Sequence, residues 1–279
     1  MSRPLAKLLT AGALASAAFF SSTAALAVGA PVTIQESSIA GAAANQYVAD
    51  QLSGQYDEIF SVTGFNPLTG QGTFVTEAIF TAGNWFRNSN PIAGGTQLNA
   101  FGAAGYGLYA KFQATGSFSV SGTTLSFNGA TAALELWSDA NSDTNYDIAG
   151  SATGNISNLV LASGAASITD DRRLGSTSVL SIGGGNGSTT GVANGNFELI
   201  FSQFNLDADG LNYFTAPRPF YLILDLNGNF QNFDPTSATN IQILASSANA
   251  FFAVPEPSAL ALVGLALIGA AVTTRRRVK

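Results

Sequence analysis

The chain of 279 residues has no cysteine and no histidine, and its only methionine is Met1. No disulfide can form, so an exported domain of this sequence has to hold on its core alone. Without imidazole or thiolate there is no Ser-His-Asp triad, no Cys-His pair, and no haem or zinc site built on those ligands. Charge is scarce as well. Asp, Glu, Lys and Arg make up 10% of the residues, against roughly 25% in an average globular protein. Basic residues are the rarer sign, 11 against 17 acidic. That balance argues against nucleic acid and anionic membrane surfaces as partners, since both select basic patches. It is compatible with divalent cations.

What is present is concentrated first at the two ends. Arg3 and Lys7 precede an apolar stretch from Leu8 to Phe20, and "STAALA" follows, with Ala25 and Ala27 where a signal peptidase reads. This three-part pattern predicts a secretory signal over residues 1–27, cleaved after Ala27. The alternative is a retained anchor, which the short, Ala-rich segment and the polar sequence after it disfavour. The other end carries Pro255-Glu256-Pro257, an apolar run from Ala259 to Val272, and then Arg275, Arg276, Arg277 and Lys279. Two prolines predict an extended, accessible tripeptide. The run of about 14 residues can form a helix but falls short of the ~20 of a stable span. The basic cluster would hold its end on the cytoplasmic side.

This tail resembles the PEP-CTERM sorting signal of Gram-negative bacteria. The resemblance implies a transient membrane anchor at residues 255–279, recognition by an exosortase-type processing enzyme, and cleavage near the motif. The product would pass across the inner membrane to the cell surface or to extracellular polysaccharide. The plainer alternative is a permanent C-terminal anchor.

Removing both signals leaves residues 28–254, with five basic and sixteen acidic side chains and a net charge of −11. One β domain of this length buries a sizeable core. Ser37 to Leu52 is Ala-rich, with Ile39, Ala43, Tyr47 and Leu52 at roughly helical spacing, and is the one predicted helix. From Tyr56 the period becomes two, which indicates strands. Leu108, Ala110, Phe112 and Ala114 alternate with Tyr109, Lys111 and Gln113. Phe197, Leu199 and Phe201 share a face, as do Leu222 and Leu224. Gly183 to Gly187 reads as a flexible loop, and "DLNGN" at Asp225 to Asn229 as an Asn-Gly hairpin turn. Nine to eleven short strands with Gly/Asn/Ser turns predict an all-β, antiparallel domain, a β-sandwich or jelly roll.

"GAAANQYVADQLSGQYDEIFSVT", "GYGLYAKFQATGSF" and "LELWSDANSDT", between Gly41 and Thr144, resemble the flocculation-associated PEP-CTERM proteins. That resemblance implies a non-catalytic surface protein associated with exopolysaccharide in flocs or biofilm. It supplies no catalytic residues.

Three sets of residues are candidate sites. Asp139, Asn141, Asp143, Asn145 and Asp147 place an oxygen at every second position after a strand, and in a curled loop they suit calcium. Calcium is the one cofactor the sequence suggests. The EF-hand pattern fails, since Thr144 stands where a glycine is needed and Gly150 where a glutamate is needed. The alternative is an acidic turn whose side chains satisfy local N–H groups. "NLDADGLN", with Asp207 and Asp209, is a shorter loop of the same kind. Trp85, beside Asn84, Arg87 and Asn88, is placed in a loop where its ring can stack on a sugar, whereas Trp137 is assigned to the core. Glu58, Glu77, Glu135 and Glu198 lie in predicted strands. A glycosidase needs two such carboxylates, but no spacing singles out a pair.

Overall fold

The computed structural model describes residues 26–92, 96–100, 105–148, 160–161, 168–188, 194–217, 221–229, 233–236 and 240–255. Val28–Val254 forms one compact unit; the segments Met1–Ala27 and Pro255–Lys279 are assigned apart from it. Of the sorting residues, Ala25, Glu256, Pro257, Arg275, Arg276 and Arg277 lie outside the described residues, as does the expected C-terminal helix. Among the described residues no helix is long and apolar enough to cross a membrane.

In chain order the elements are β1 (Val32–Gln35), β2 (Gln46–Ala49), β3 (Gln51–Asn66), β4 (Gln71–Arg87), β5 (Gly107–Ser121) and β6 (Thr124–Asp139). Then come β7 (Arg172–Thr177), β8 (Leu180–Ser188), β9 (Asn194–Phe201), β10 (Asn205–Leu206), α1 (Ala208–Tyr213), β11 (Phe214–Ala216), β12 (Tyr221–Asn229) and β13 (Asn240–Pro255). The all-β antiparallel expectation holds. The arrangement, however, is a closed barrel rather than a sandwich or jelly roll. Each strand pairs antiparallel with the next, from β3 through β4 and β5 to β6, and β13 returns to β3. The ring closes because β8 pairs with β9 on one side and with Thr124–Asn128 of β6 on the other. β7 pairs with the second half of β6, from Arg172↔Ser138 to Thr177↔Leu134, so β7 and β8 act as one bent strand along it. Alternation of apolar and polar residues cannot separate the two architectures. It marks an inward face in either, and only the pairing partners decide.

Three local expectations are overturned, each by long-range pairing. Ser37 to Leu52 is not a helix: a 3-10 turn at Glu36–Ser38 is followed by β2 and the start of β3. Gly183 to Gly187 is not a loop but the closing strand. A Cβ on Gly185 would sit 2.2 Å from the Asn196 carbonyl oxygen and 2.8 Å from the Phe197 ring. Glycine is what allows that neighbour to pack across this strand. Asp225 to Asn229 continues β12, with Asn227 opposite Asn196 on one side and Ser247 on the other. Two flanking ladders outweigh the local Asn-Gly turn preference.

The barrel interior is aromatic and aliphatic. Toward one end, Phe60 stacks on Phe74 at 4.8 Å, and Phe127 and Phe233 meet Phe60 edge-on. Two interior voids, about 40 Å³ and 20 Å³, are far below the roughly 300–1,000 Å³ of ligand pockets. Side chains therefore fill the barrel. Among the described residues one carboxyl lies inside the barrel. Glu58 is buried between Tyr56 and Phe60 on the inward face of β3 and accepts a hydrogen bond from the Thr76 hydroxyl. Burial raises its carboxyl from 4.5 to about 7, against the opposing pull of the Thr76 bond.

At the other end β11, β1 and β2 form a three-stranded sheet whose Val32, Ile34 and Phe214 join the same core as Leu52, Trp85 and Phe252. A single carboxylate anchors it. Glu36 is fully buried. Its Oε1 accepts from Thr96 Oγ1 at 2.8 Å, the Gln97 N–H at 2.8 Å, the Tyr106 hydroxyl at 3.0 Å and the Tyr47 hydroxyl at 3.3 Å. Its Oε2 accepts from Asn45 Nδ2 at 3.1 Å. The Tyr106 and Tyr213 hydroxyls lie 2.7 Å apart. Since Tyr106 gives its proton to Glu36, Tyr213 donates to Tyr106. The cluster thus joins the segment before β2, the residues leading into β5, and α1.

Two outcomes are expected. Glu36→Ala strands several buried donors and should destabilise the protein by about 3 kcal/mol or more in urea unfolding. Glu58 is neutral in both states below pH 4.5, and its folded form resists ionisation until about pH 7. The wild type should therefore lose stability relative to Glu58→Gln as pH rises from 4.5 to 7. The gap should level off near 3 kcal/mol, on the order of 1.4 kcal/mol per pH unit. Equal pH profiles for the two proteins would place Glu58 in contact with water.

Candidate functional site

β6 delivers Asp139 to the start of the acidic loop, where its side chain is almost fully buried. Asp139 Oδ1 accepts the Asn141 N–H at 3.2 Å, and Oδ2 the Thr144 N–H at 2.8 Å. Asn141 Oδ1 accepts the Asp143 N–H at 3.3 Å, and its Nδ2 donates to Asp143 Oδ2 at 2.9 Å. Ser142, at φ 56°, supplies the left-handed residue that reverses the chain. The period of two thus begins as a pair of turns in which Asp139 and Asn141 each serve an N–H two residues on. Among the described residues Asp143 Oδ1 is buried without a hydrogen-bond partner. Asn145 is exposed and lines a cleft with Asp139 and Thr144, while Asp147 lies in a two-residue strand with Val160 opposite it.

A second carboxylate, Asp171, braces the loop. It accepts from the Thr144 hydroxyl at 3.0 Å and the Tyr109 hydroxyl at 2.6 Å. Burial pushes Asp171 above the usual carboxylate range, and these two hydrogen bonds pull it back. Hydrogen bonds therefore link Asp139, Asn141 and Asp143, while Asn145 only shares a cleft with Asp139. Among the described residues no group of three or more His, Cys, Asp or Glu side chains is placed to hold a metal ion. The shorter loop differs altogether. Asp207 precedes α1 and receives Arg173 Nε at 2.6 Å, while Gly210 is buried within the helix.

Trp85 is not a sugar platform. It is fully buried, stacked on Phe252 at 5.7 Å and edge-on to Phe214 and Tyr47. Ala82 pairs with Gly54 and Asn84 with Ser53, so Gly83 is an extra residue in β4. That bulge shifts the alternation and turns Trp85 inward. The reverse holds for Trp137. Leu134 and Leu136 point into the barrel, so Glu135 and Trp137 point out, and the alternation carried this signal. Trp137 lies parallel to Tyr109 across the strand pair, centroids 6.3 Å apart. Lys111 Nζ sits 5.0 Å above the Trp137 ring and 4.6 Å above Tyr146. Arg173 bridges Glu135 at 3.2 Å and Asp207 at 2.6 Å. At this exposure such pairs hold a surface in place more than they stabilise it. Glu58 lies inside the barrel wall and Glu135 outside it, so these two carboxylates do not face one cleft.

A larger concavity than the interior voids lies elsewhere. A groove of about 650 Å³ is lined by β3, β4, β5 and β6, including Asn66, Gln71, Thr73, Ser117, Ser119, Ser126 and Asn128, with no ionisable side chain among the described residues of its wall. The sequence reading missed it. Its signal was present as runs of Ser, Thr and Asn on the polar phase of long strands, but such residues are also ordinary surface.

Comparison with known proteins adds one finding. Residues 253–277 match the family described as the PEP-CTERM protein-sorting motif. The chain carries that sorting signal, as Pro255-Glu256-Pro257 and the Arg-rich end led us to expect. No curated protein and no solved structure matches the chain.

The loop geometry makes a test. Asp139→Ala removes the acceptor of two N–H groups and should lower stability by about 1–3 kcal/mol. Calcium should leave the wild-type melting midpoint where it is, because both Asp139 oxygens, Asn141 Oδ1 and Asp143 Oδ2 already have donors within the loop. A ligand at 100 times its Kd would add about 2.7 kcal/mol. A calcium-dependent rise that Asp139→Ala abolishes would make the loop a cation site.

Proposed function

We propose that this is an exported, non-catalytic surface or matrix protein, processed by an exosortase-type enzyme and associated with extracellular polysaccharide in floc or biofilm formation. The observation that carries the reading is the sorting motif at residues 253–277. Such a signal implies export, temporary C-terminal anchoring and a cell-surface or extracellular destination. The domain it follows is consistent with that destination. It has no cysteine to depend on redox conditions, and outward positions such as Gln51, Ser53, Thr73, Gln113, Thr115 and Ser117 carry uncharged polar side chains. The absence of histidine and cysteine, which removes triads and imidazole or thiolate metal sites, supports a non-catalytic role. A second reading, a carbohydrate-binding module, is favoured by the uncharged groove on β3 to β6.

Two genetic measurements test the proposal. Replacing Pro255 and Pro257 with alanine should leave the chain uncleaved in the membrane fraction, where the wild type is recovered shortened from the surface or matrix. Deleting the gene should disperse flocs while leaving the amount of polysaccharide unchanged. Undisturbed flocs would overturn the matrix role, and unchanged processing of the proline variant would overturn the sorting route.

A further inference from the structure

The groove on β3 to β6 has a regular wall. Register sets Thr73 opposite Ser117 and Ser117 opposite Asn128, and likewise Gln71 opposite Ser119 and Ser119 opposite Ser126. Directly opposed residues share a face, and so do residues two apart on one strand. These six side chains therefore form two rows of three, about 4.8 Å apart between strands and about 6.8 Å apart along them. All six are exposed.

Little of this array is committed to the fold. Thr73 Oγ1 meets Thr63 Oγ1 at 2.9 Å, and Ser126 Oγ reaches Asn186 Oδ1 at 3.5 Å. Among the described residues, none hydrogen-bonds the side chains of Gln71, Ser117, Ser119 or Asn128. The half-buried ring of Phe65, held parallel to Phe118 at 5.9 Å, adds an apolar margin. At about 650 Å³ the groove falls within the roughly 300–1,000 Å³ that binding sites occupy.

A ligand for this wall has to be rich in hydroxyls and able to give and take hydrogen bonds at regular intervals. It must carry no negative charge, because nothing in the wall would neutralise it and the domain's net charge of −11 would repel it. We propose that the groove seats a stretch of neutral polysaccharide, its hydroxyls bonded by Gln71, Thr73, Ser117, Ser119, Ser126 and Asn128. This rests on the polysaccharide association proposed above and adds the place of contact and the charge class of the polymer.

The test is affinity electrophoresis of the full chain through gels containing a linear neutral glucan, a neutral mannan or anionic alginate. Retardation is expected in at least one neutral gel and not in alginate. Ser117→Asp with Asn128→Asp should weaken binding at least about tenfold, the factor that corresponds to roughly 1.4 kcal/mol. The milder pair Ser117→Ala with Asn128→Ala should weaken it in the same direction, and Ser178→Asp, exposed outside the groove, should not. Melting midpoints within a degree or so of wild type would show that the variants fold, since exposed substitutions of this kind cost about 0.5 kcal/mol or less. Neutral-glycan binding that both groove pairs leave intact overturns the groove and spares polysaccharide association. Retardation by alginate alone overturns the charge class. Retardation in none of the gels overturns the groove as a glycan site, and undisturbed flocs in the deletion strain would be the separate sign that the matrix role itself fails.

Discussion

The hydrogen bonding of β8 to both of its neighbours is the constraint on which the rest of this structure depends. Without the pairing of Gly184–Ser188 to Thr124–Asn128, the sheet would stay open and its apolar face would meet water. With it, one continuous surface curls round a core of Phe, Leu and Ala. Glycine makes the closure possible in two ways. It lets Phe197 pack across the strand, and it tolerates the bend by which β7 and β8 follow β6 while turning to meet β9. The usual cost of glycine in a strand, lost entropy without side-chain packing, is met here by two ladders instead of one.

A closed barrel still has two ends, and they are finished differently. One is filled by phenylalanine rings, whose edge-on and stacked contacts need no polar partners. The other is covered by a small sheet and by α1, both of which bring backbone and hydroxyl groups into the core. Burying polar groups is tolerable only when they are satisfied. Glu36 meets that condition by collecting donors from segments sixty to seventy residues away. Glu58 is the contrasting case, a carboxyl with the Thr76 hydroxyl as its donor in an apolar interior, and it stays neutral more readily than it ionises.

Much of the fold was legible in the residues, for a definite reason. The inward phases of β3 to β6, β9 and β12 follow alternation, because one face of each strand meets the barrel core; the outer face is buried locally as well, where Ile59, Ile79 and Ile148 pack together. The misses share a cause too. The Gly83 bulge shifts the phase ahead of Trp85, and one inserted residue is invisible to a period of two. Gly183 to Gly187 has one side chain, Asn186, and so nothing to alternate. The Asn227-Gly228 step favours a turn locally, and two ladders override it. Glu36 reads as one more acid before an Ala-rich stretch, and its partners are remote in sequence. At the candidate sites the sequence groups Asp139, Asn141, Asp143, Asn145 and Asp147 as one run of alternating oxygens, and hydrogen bonds link Asp139, Asn141 and Asp143 of that run. Whether those oxygens face inward to an ion or along the chain to its N–H groups depends on φ values that composition does not carry. The sorting signal was the most legible feature, because it is a linear motif read by another protein and not by folding.

Closure has a further consequence. An open sheet ends in rows of unpaired N–H and C=O groups, which are templates for strand addition and for aggregation when molecules are crowded. Around this ring every strand has a neighbour on each side. Among the described residues, open edges remain at β10 and at β2 and β11 of the small sheet. Copies of this domain can therefore be packed barrel wall to barrel wall at high density without fusing through their backbones. Contacts made by the wall have to be written in side chains, and so can be strengthened, weakened or redirected by single substitutions.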